Sequence, residues 1–184
     1  MRILVAATAI VAGVLGGCAA RDPAVSSSDT IAAGNWKIER QIDRITGTPL
    51  ASAMLSASSS HTSEPFPKHV LMQLTCFNKA PLIRFAFEVK VGTTRNAVLG
   101  YRFDERPGHE INARFLNDDK VAVIEDGAEV AQFVDELSTA QSLYLRIRSL
   151  SFGRATAEFH LDGAPAALAA AFANCPVTAK PKAQ

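Results

Sequence analysis

Neither G-x-x-x-x-G-K-[ST] nor G-x-G-x-x-G occurs in the 184-residue sequence, so it lacks a glycine-rich cradle for phosphate. There is no G-x-S-x-G, which removes the rigid elbow that would make Ser58, Ser59 or Ser60 beside His61 a nucleophile and base. The four histidines, His61, His69, His109 and His160, include no pair at metal-ligand spacing, and a zinc site needs three or four converging ligands. Asp118, Asp119, Glu125 and Asp126 match no calcium loop; turn and helix-cap duties account for them. The expectation is a protein with no catalytic residue, no metal and no cofactor.

An excess of charge is lacking too. The chain has 19 basic and 18 acidic residues, and its one basic terminus, AKPKAQ, reads as a frayed end. A balanced chain without a basic block lacks the electrostatic footprint of a nucleic-acid binder.

Long apolar runs are confined to the start, where Arg2 is followed by the stretch Ile3 to Leu15 and then Gly16-Gly17-Cys18. Thirteen residues of helix span only about 20 Å against the ~30 Å of a hydrocarbon core. The segment therefore reads as a secretion signal. Leu15-Gly16-Gly17-Cys18 resembles the bacterial lipobox, in which the cysteine thiol takes a diacylglycerol and the leader is cut just before it. The alternative is an ordinary signal peptide cut near Ala20, with Cys18 discarded. If Cys18 is acylated, several acyl chains hold the protein on a membrane, each buried methylene contributing about 0.8 kcal/mol. Ala19 is not the aspartate that signals inner-membrane retention, so the resemblance implies an outer-membrane anchor facing the periplasm.

Cysteine is scarce, at three residues, and no C-x-x-C is present. With Cys18 assigned to lipid, Cys76 and Cys175 remain, an even pair in an exported chain. That suggests a disulfide; two free buried thiols and a redox pair are the alternatives.

Taking 17 leader residues from the 184 leaves 167, the size of one domain. The expected organisation is a signal peptide at 1–17, a lipidated cysteine and flexible tether at 18–34, one domain at 35–176 and a disordered tail at 177–184. Trp36 with Ile38 begins a strand, and a second is expected between Leu50 and Ala57. SASSSHTSEPFP reads as a surface loop. Clear alternation follows in Val70, Met72, Leu74 and Cys76, then in Ile83, Phe85, Phe87 and Val89, then in Ala97, Leu99, Tyr101 and Phe103. YRFDERPGHE reads either as a recognition edge or as a strand end where Arg102 and Asp104 pair. Ile111, Ala113 and Phe115 form a further strand, and Asn117-Asp118-Asp119 turns the chain into KVAVI.

Two helices break the pattern. Asp126 and Glu129 have capping-box spacing ahead of Val130, Phe133, Val134 and Leu137. In APAALAAAFANC, Pro165 suits a first turn and Leu168, Ala171, Phe172 and Cys175 form one stripe. Between the helices lies a hairpin with inward residues Leu143, Leu145 and Ile147 and, on the return, Ala155, Ala157, Phe159 and Leu161. A three-residue loop Ser151-Phe152-Gly153, with glycine left-handed, sets Arg146 opposite Glu158 as a cross-strand ion pair worth about 0.2–1 kcal/mol. The fold class expected is α+β, an antiparallel system of about eight or nine strands with two packed helices.

The order of these features is similar to the VasI-like family of type VI secretion-associated envelope proteins. The shared pattern runs through Trp36, the strand ending at Cys76, Arg102-Phe103-Asp104, the helix with Phe133 and Leu137, Phe159, Gly163 and a terminal helix ending in Cys175. This chain departs from it where Arg44 follows Asp43 and where Arg114-Phe115 replaces a usual tryptophan. The resemblance implies an accessory role in a secretion apparatus and carries no catalytic residues. The functional expectation is a non-enzymatic, periplasm-facing envelope lipoprotein that is tied to the membrane through Cys18 and binds a partner protein. A carrier of a small apolar ligand and a periplasmic hydrolase using His61 or His160 are the alternatives.

Overall fold

The structure, a computed structural model, describes residues 25–63, 68–175 and 177. Twelve strands and two helices follow one another in the order β1 (Val25–Ala33), β2 (Trp36–Asp43), β3 (Pro49–Ser56), β4 (Ser59–His61), β5 (Val70–Phe77), β6 (Ala80–Phe87), β7 (Ala97–Phe103), β8 (His109–Ile111), β9 (Arg114–Leu116), β10 (Val121–Ile124), α1 (Gly127–Leu137), β11 (Ser142–Ser149), β12 (Gly153–His160) and α2 (Ala164–Ala171). The fold class is α+β. Seven strands form one sheet, β1-β2-β3-β5-β6-β10-β9, and five form another, β4-β12-β11-β7-β8; every pairing is antiparallel.

Alternation places the apolar side chains as the pattern requires. Val70, Met72 and Leu74 of β5, Ile83, Phe85 and Phe87 of β6, and Leu99, Tyr101 and Phe103 of β7 are all buried. They join Leu143, Leu145 and Ile147 of β11 and Phe159 of β12 in one core. Phe85 of the larger sheet lies 6.2 Å from Phe159 of the smaller and 6.0 Å from Phe133 of α1. Phe133 also meets Tyr101 at 5.0 Å and Phe103 at 4.9 Å, both edge-on. Such pairs add about 0.5–1.5 kcal/mol each beyond their area.

Both helices start as their sequences imply. The Asp126 carboxylate accepts from the amides of Ala128 (3.0 Å) and Glu129 (3.2 Å), an N-cap worth about 1 kcal/mol. Pro165 sits in the first turn of α2, which packs on β2, β3 and β5. Cys175, just past the end of α2, comes to disulfide distance of Cys76 at the end of β5, with Cα atoms 5.9 Å apart.

Four expectations change. Residues 25–33, assigned to the flexible tether, form β1, whose residues pair with β2 from Val25↔Asp43 to Ala33↔Trp36. Small polar residues carry no strand period of their own; the pairing partner imposes it. Second, the serine-rich loop contains β4, which pairs with β12. Third, Ile111 and Phe115 belong to different sheets, because β8 pairs with β7 while β9 pairs with β10. Together these raise the strand count from eight or nine to twelve.

The fourth change is the register of the β11–β12 hairpin. Arg146 stands opposite Thr156, Glu158 stands opposite Tyr144, and Arg148 stands opposite Arg154, so the expected Arg146–Glu158 cross-strand pair is not made. The loop is Leu150-Ser151-Phe152, and Gly153, at φ 74°, already pairs with Ser149. Alternation fixes the register only to within two residues, and the turn settles the rest. Ser149 Oγ accepts from the amides of Ser151 (3.3 Å) and Phe152 (3.4 Å), and the Leu150 amide donates to the Asn96 carbonyl (3.1 Å).

Candidate functional site

Residues of β11 and β12 that alternate with the core set point outward, and the antiparallel register lines them up across the smaller sheet. One row reads His61, Thr156, Arg146, Gly100, Glu110; the next reads Ser59, Glu158, Tyr144, Arg102. Between them lies a groove of about 650 Å³.

Gly100 forms part of the groove's floor. A Cβ there would stand 3.4 Å from Arg146 Nη2. The Arg146 guanidinium passes over the strand at Gly100 and pairs with Glu110 on β8. Arg148 Nη2 reaches the same carboxylate at 2.8 and 3.0 Å. One anion thus serves two cations.

Arg102 is held from two sides, its guanidinium 5.3 Å from the centre of the Tyr144 ring and 3.6 Å from Glu105. Its expected pairing with Asp104 is not formed. Asp104 instead accepts from the amides of Gln141 (3.0 Å) and Ser142 (2.8 Å) and from the Ser142 hydroxyl (3.1 Å), pinning the β7 end to the start of β11. Burial pushes the Asp104 carboxyl up, but those donors and Arg106 outweigh it and hold the group below its ordinary value.

Arg148 and Arg154 stand directly opposite each other on the outer face. The Arg148 guanidinium, however, is directed across β7 to Glu110 and away from β12. The face carries Arg102, Arg146, Arg148 and Arg154 against Glu110, Glu158 and, at the end of β7, Glu105, so its cations outnumber its anions by one.

The serines are committed elsewhere than to His61. Ser58 Oγ donates to the Glu158 carbonyl at 2.9 Å, Ser59 Oγ to Glu158 Oε2 at 3.4 Å, and Ser60 Oγ to the Lys68 carbonyl. His61 and His109 both line the groove, while His69 and His160 do not. His109 is engaged with α1: Nε2 lies 2.8 Å from Glu136 Oε1, and Nδ1 lies 3.1 Å from Gln132 Nε2. Its ring is 4.9 Å from that of Tyr101, whose hydroxyl is pushed upward by burial first and by Glu129 and Glu136 second. Among the described residues, no group of three or more histidine, cysteine or acidic side chains is placed to hold a metal ion.

The acidic residues near β10 take structural duties: Asp118 pairs with Lys90 at 2.7 Å, Glu125 with Arg114 at 2.8 Å, and Asp126 caps α1. Cys18 lies outside the described residues, as do 178–184 of the expected tail. The structure brings Cys76 to Cys175 and leaves Arg146 and Glu158 on one face without opposing them. Sequence reasoning missed Gly100, Glu110 and Tyr144 as groove residues. The outward set Tyr144, Arg146, Arg148 was readable from alternation, whereas β8 is too short to announce that Glu110 would lie beside it.

Compared with known proteins, the chain matches no family model, no curated protein and no solved structure.

Proposed function

We propose that the chain is a non-enzymatic, periplasm-facing envelope lipoprotein, anchored through Cys18, that binds an acidic surface of a partner protein with the outer face of its five-stranded sheet. One observation carries the partner's chemistry: Arg102, Arg146, Arg148 and Arg154 share that face with Glu110, Glu158 and the neighbouring Glu105, and Glu110 alone serves both Arg146 and Arg148. A carboxylate from outside would offer a planar, bidentate partner to guanidinium groups that outnumber the face's own anions. The lipobox-like leader supports the location, and the likeness to VasI-like proteins supports an accessory role in a secretion apparatus.

The alternatives draw less support. An apolar carrier calls for an internal cavity lined by phenylalanine. The core phenylalanines pack on one another, and neither described groove is lined by them. A hydrolase calls for polar groups converging on His61 or His160, and the neighbouring serine hydroxyls are bonded elsewhere.

The test is affinity purification of the membrane-anchored protein beside an Arg148→Glu/Arg154→Glu variant and a Gly100→Val variant that fills the groove floor. The reading expects one partner that is recovered with the parent chain, released by salt and lost with both variants. No specific protein, or one that is indifferent to both variants, contradicts it.

A further inference from the structure

The chain enters its described part at Val25, and Val25 pairs with Asp43, at the very end of β2. The incoming segment therefore arrives beside the β2–β3 turn. Seven peptide units separate Cys18 from Val25, which at ~3.6 Å each allow a reach of about 25 Å at most. Whatever surface holds Cys18, Val25 is within that reach of it, and the turn begins at its partner Asp43.

The turn is built to present an apolar tip. The Asp43 carboxylate accepts from the amides of Ile45 (2.7 Å) and Thr46 (3.3 Å), and the Gly47 amide donates to the Asp43 carbonyl at 2.8 Å. Asp43 is thus folded back into the turn, while Arg44 and Ile45 project, Ile45 at 86 % exposure. Ile42 and Leu50 adjoin the turn and Ile31 lies farther along β1, opposite Ile38; each is about two-fifths exposed and lines an apolar groove between β1–β3 and α2. Of eight large hydrophobic side chains exposed among the described residues, four lie on these strands and their turn. An exposed apolar tip beside a cation, continued by further apolar side chains along the adjoining strands, is the chemistry of a surface that meets lipid.

We infer that the β2–β3 turn, with Ile45 at its tip and Arg44 beside it, rests on the lipid surface that holds Cys18, so that the domain is oriented by a second contact. The inference depends on the reading of Cys18 as the anchor. Arg44 would face anionic headgroups while Ile45 enters the boundary between headgroups and acyl chains.

The test uses the full acylated chain reconstituted in phosphatidylethanolamine and phosphatidylglycerol vesicles whose acyl chains are brominated. Ile45→Trp and Leu150→Trp are compared with the parent chain, whose single tryptophan, Trp36, is buried and supplies a common background. Leu150, 93 % exposed at the β11–β12 turn, is the control tip. The expected result is emission added by Trp at position 45 that is roughly halved by bromine, as for a side chain about 5–10 Å into the interface, with none of that loss at position 150. A chain that floats with the vesicles yet shows no quenching at 45, or equal quenching at both tips, overturns the inference and leaves the anchor standing. A chain that does not float with the vesicles overturns the anchor and the inference together.

Discussion

Gly163 stands so close to Ala33 that a methyl group on it would lie 2.0 Å from the Ala33 carbonyl oxygen. Gly34, one residue further on, has the same relation to Asp162, with an added Cβ 2.3 Å from the Asp162 carbonyl oxygen, and the Asn35 amide donates to that oxygen at 3.0 Å. Both glycines have positive φ, 93° and 56°. The β1–β2 turn and the turn into α2 are thus locked backbone to backbone. Gly163→Ala and Gly34→Ala should each cost about 3 kcal/mol or more, from strain plus overlap. Gly47→Ala, at φ 68° but with open space around it, should cost only about 1–2 kcal/mol. Urea unfolding of the three variants checks the ranking.

Cys76 of β5 and Cys175 past the end of α2 stand at disulfide distance, and a bond between them closes a loop of 99 residues. On the chain-entropy model a loop of that size stabilises by roughly 4.7 kcal/mol. Cys76→Ser/Cys175→Ser should lose most of that in equilibrium unfolding, and a reductant should lower the denaturation midpoint of the parent chain while leaving the variant unchanged.

Phe133 is the ring around which Phe85, Tyr101 and Phe103 gather. Phe133→Ala removes the ring from a fully buried site and should cost about 3–5 kcal/mol. Phe133→Leu should cost visibly less; calorimetry of both variants measures the difference.

Asp104 ties β7 to β11, and its folded-state carboxyl titrates below its unfolded value. The stability this supplies is complete above the unfolded pKa of about 3.9 and is lost as pH falls through the folded value. Stability should therefore drop below about pH 4, and Asp104→Asn, which removes the titrating group, should flatten part of that acid limb while lowering stability at neutral pH. Unfolding followed from pH 2 to 7 in both proteins tests the sign.

How much of this was legible depended on whether the local pattern or its neighbour decided the outcome. The core faces of β5, β6, β7, β11 and β12 follow from alternation, and the buried stripe of α1 follows from a period of 3.6. Cys76 and Cys175 are readable as a pair because they are the two cysteines left once Cys18 is assigned to lipid, and the strand and helix periods both turn them inward. β1 was not readable, since Ser27, Ser28 and Thr30 become strand only by pairing with β2. The hairpin register was half readable: parity put Arg146 and Glu158 on one face, but Ser149 capping the turn moved the pairing by two. For the groove, the outward arginines of β11 were visible in the sequence, while Glu110 reaches them only because the short β8 pairs with β7.

As proposed, the chain is exported, cut ahead of Cys18, acylated there and oxidised at its other two cysteines. Intact-mass spectrometry of protein extracted from the cell envelope tests it most directly. The account predicts a chain beginning at Cys18 that carries diacylglyceryl mass and has no sulfhydryl open to alkylation before reduction. A species that keeps residues 1–17, starts beyond Cys18, or takes up alkylating agent at Cys76 and Cys175 without reduction would contradict it.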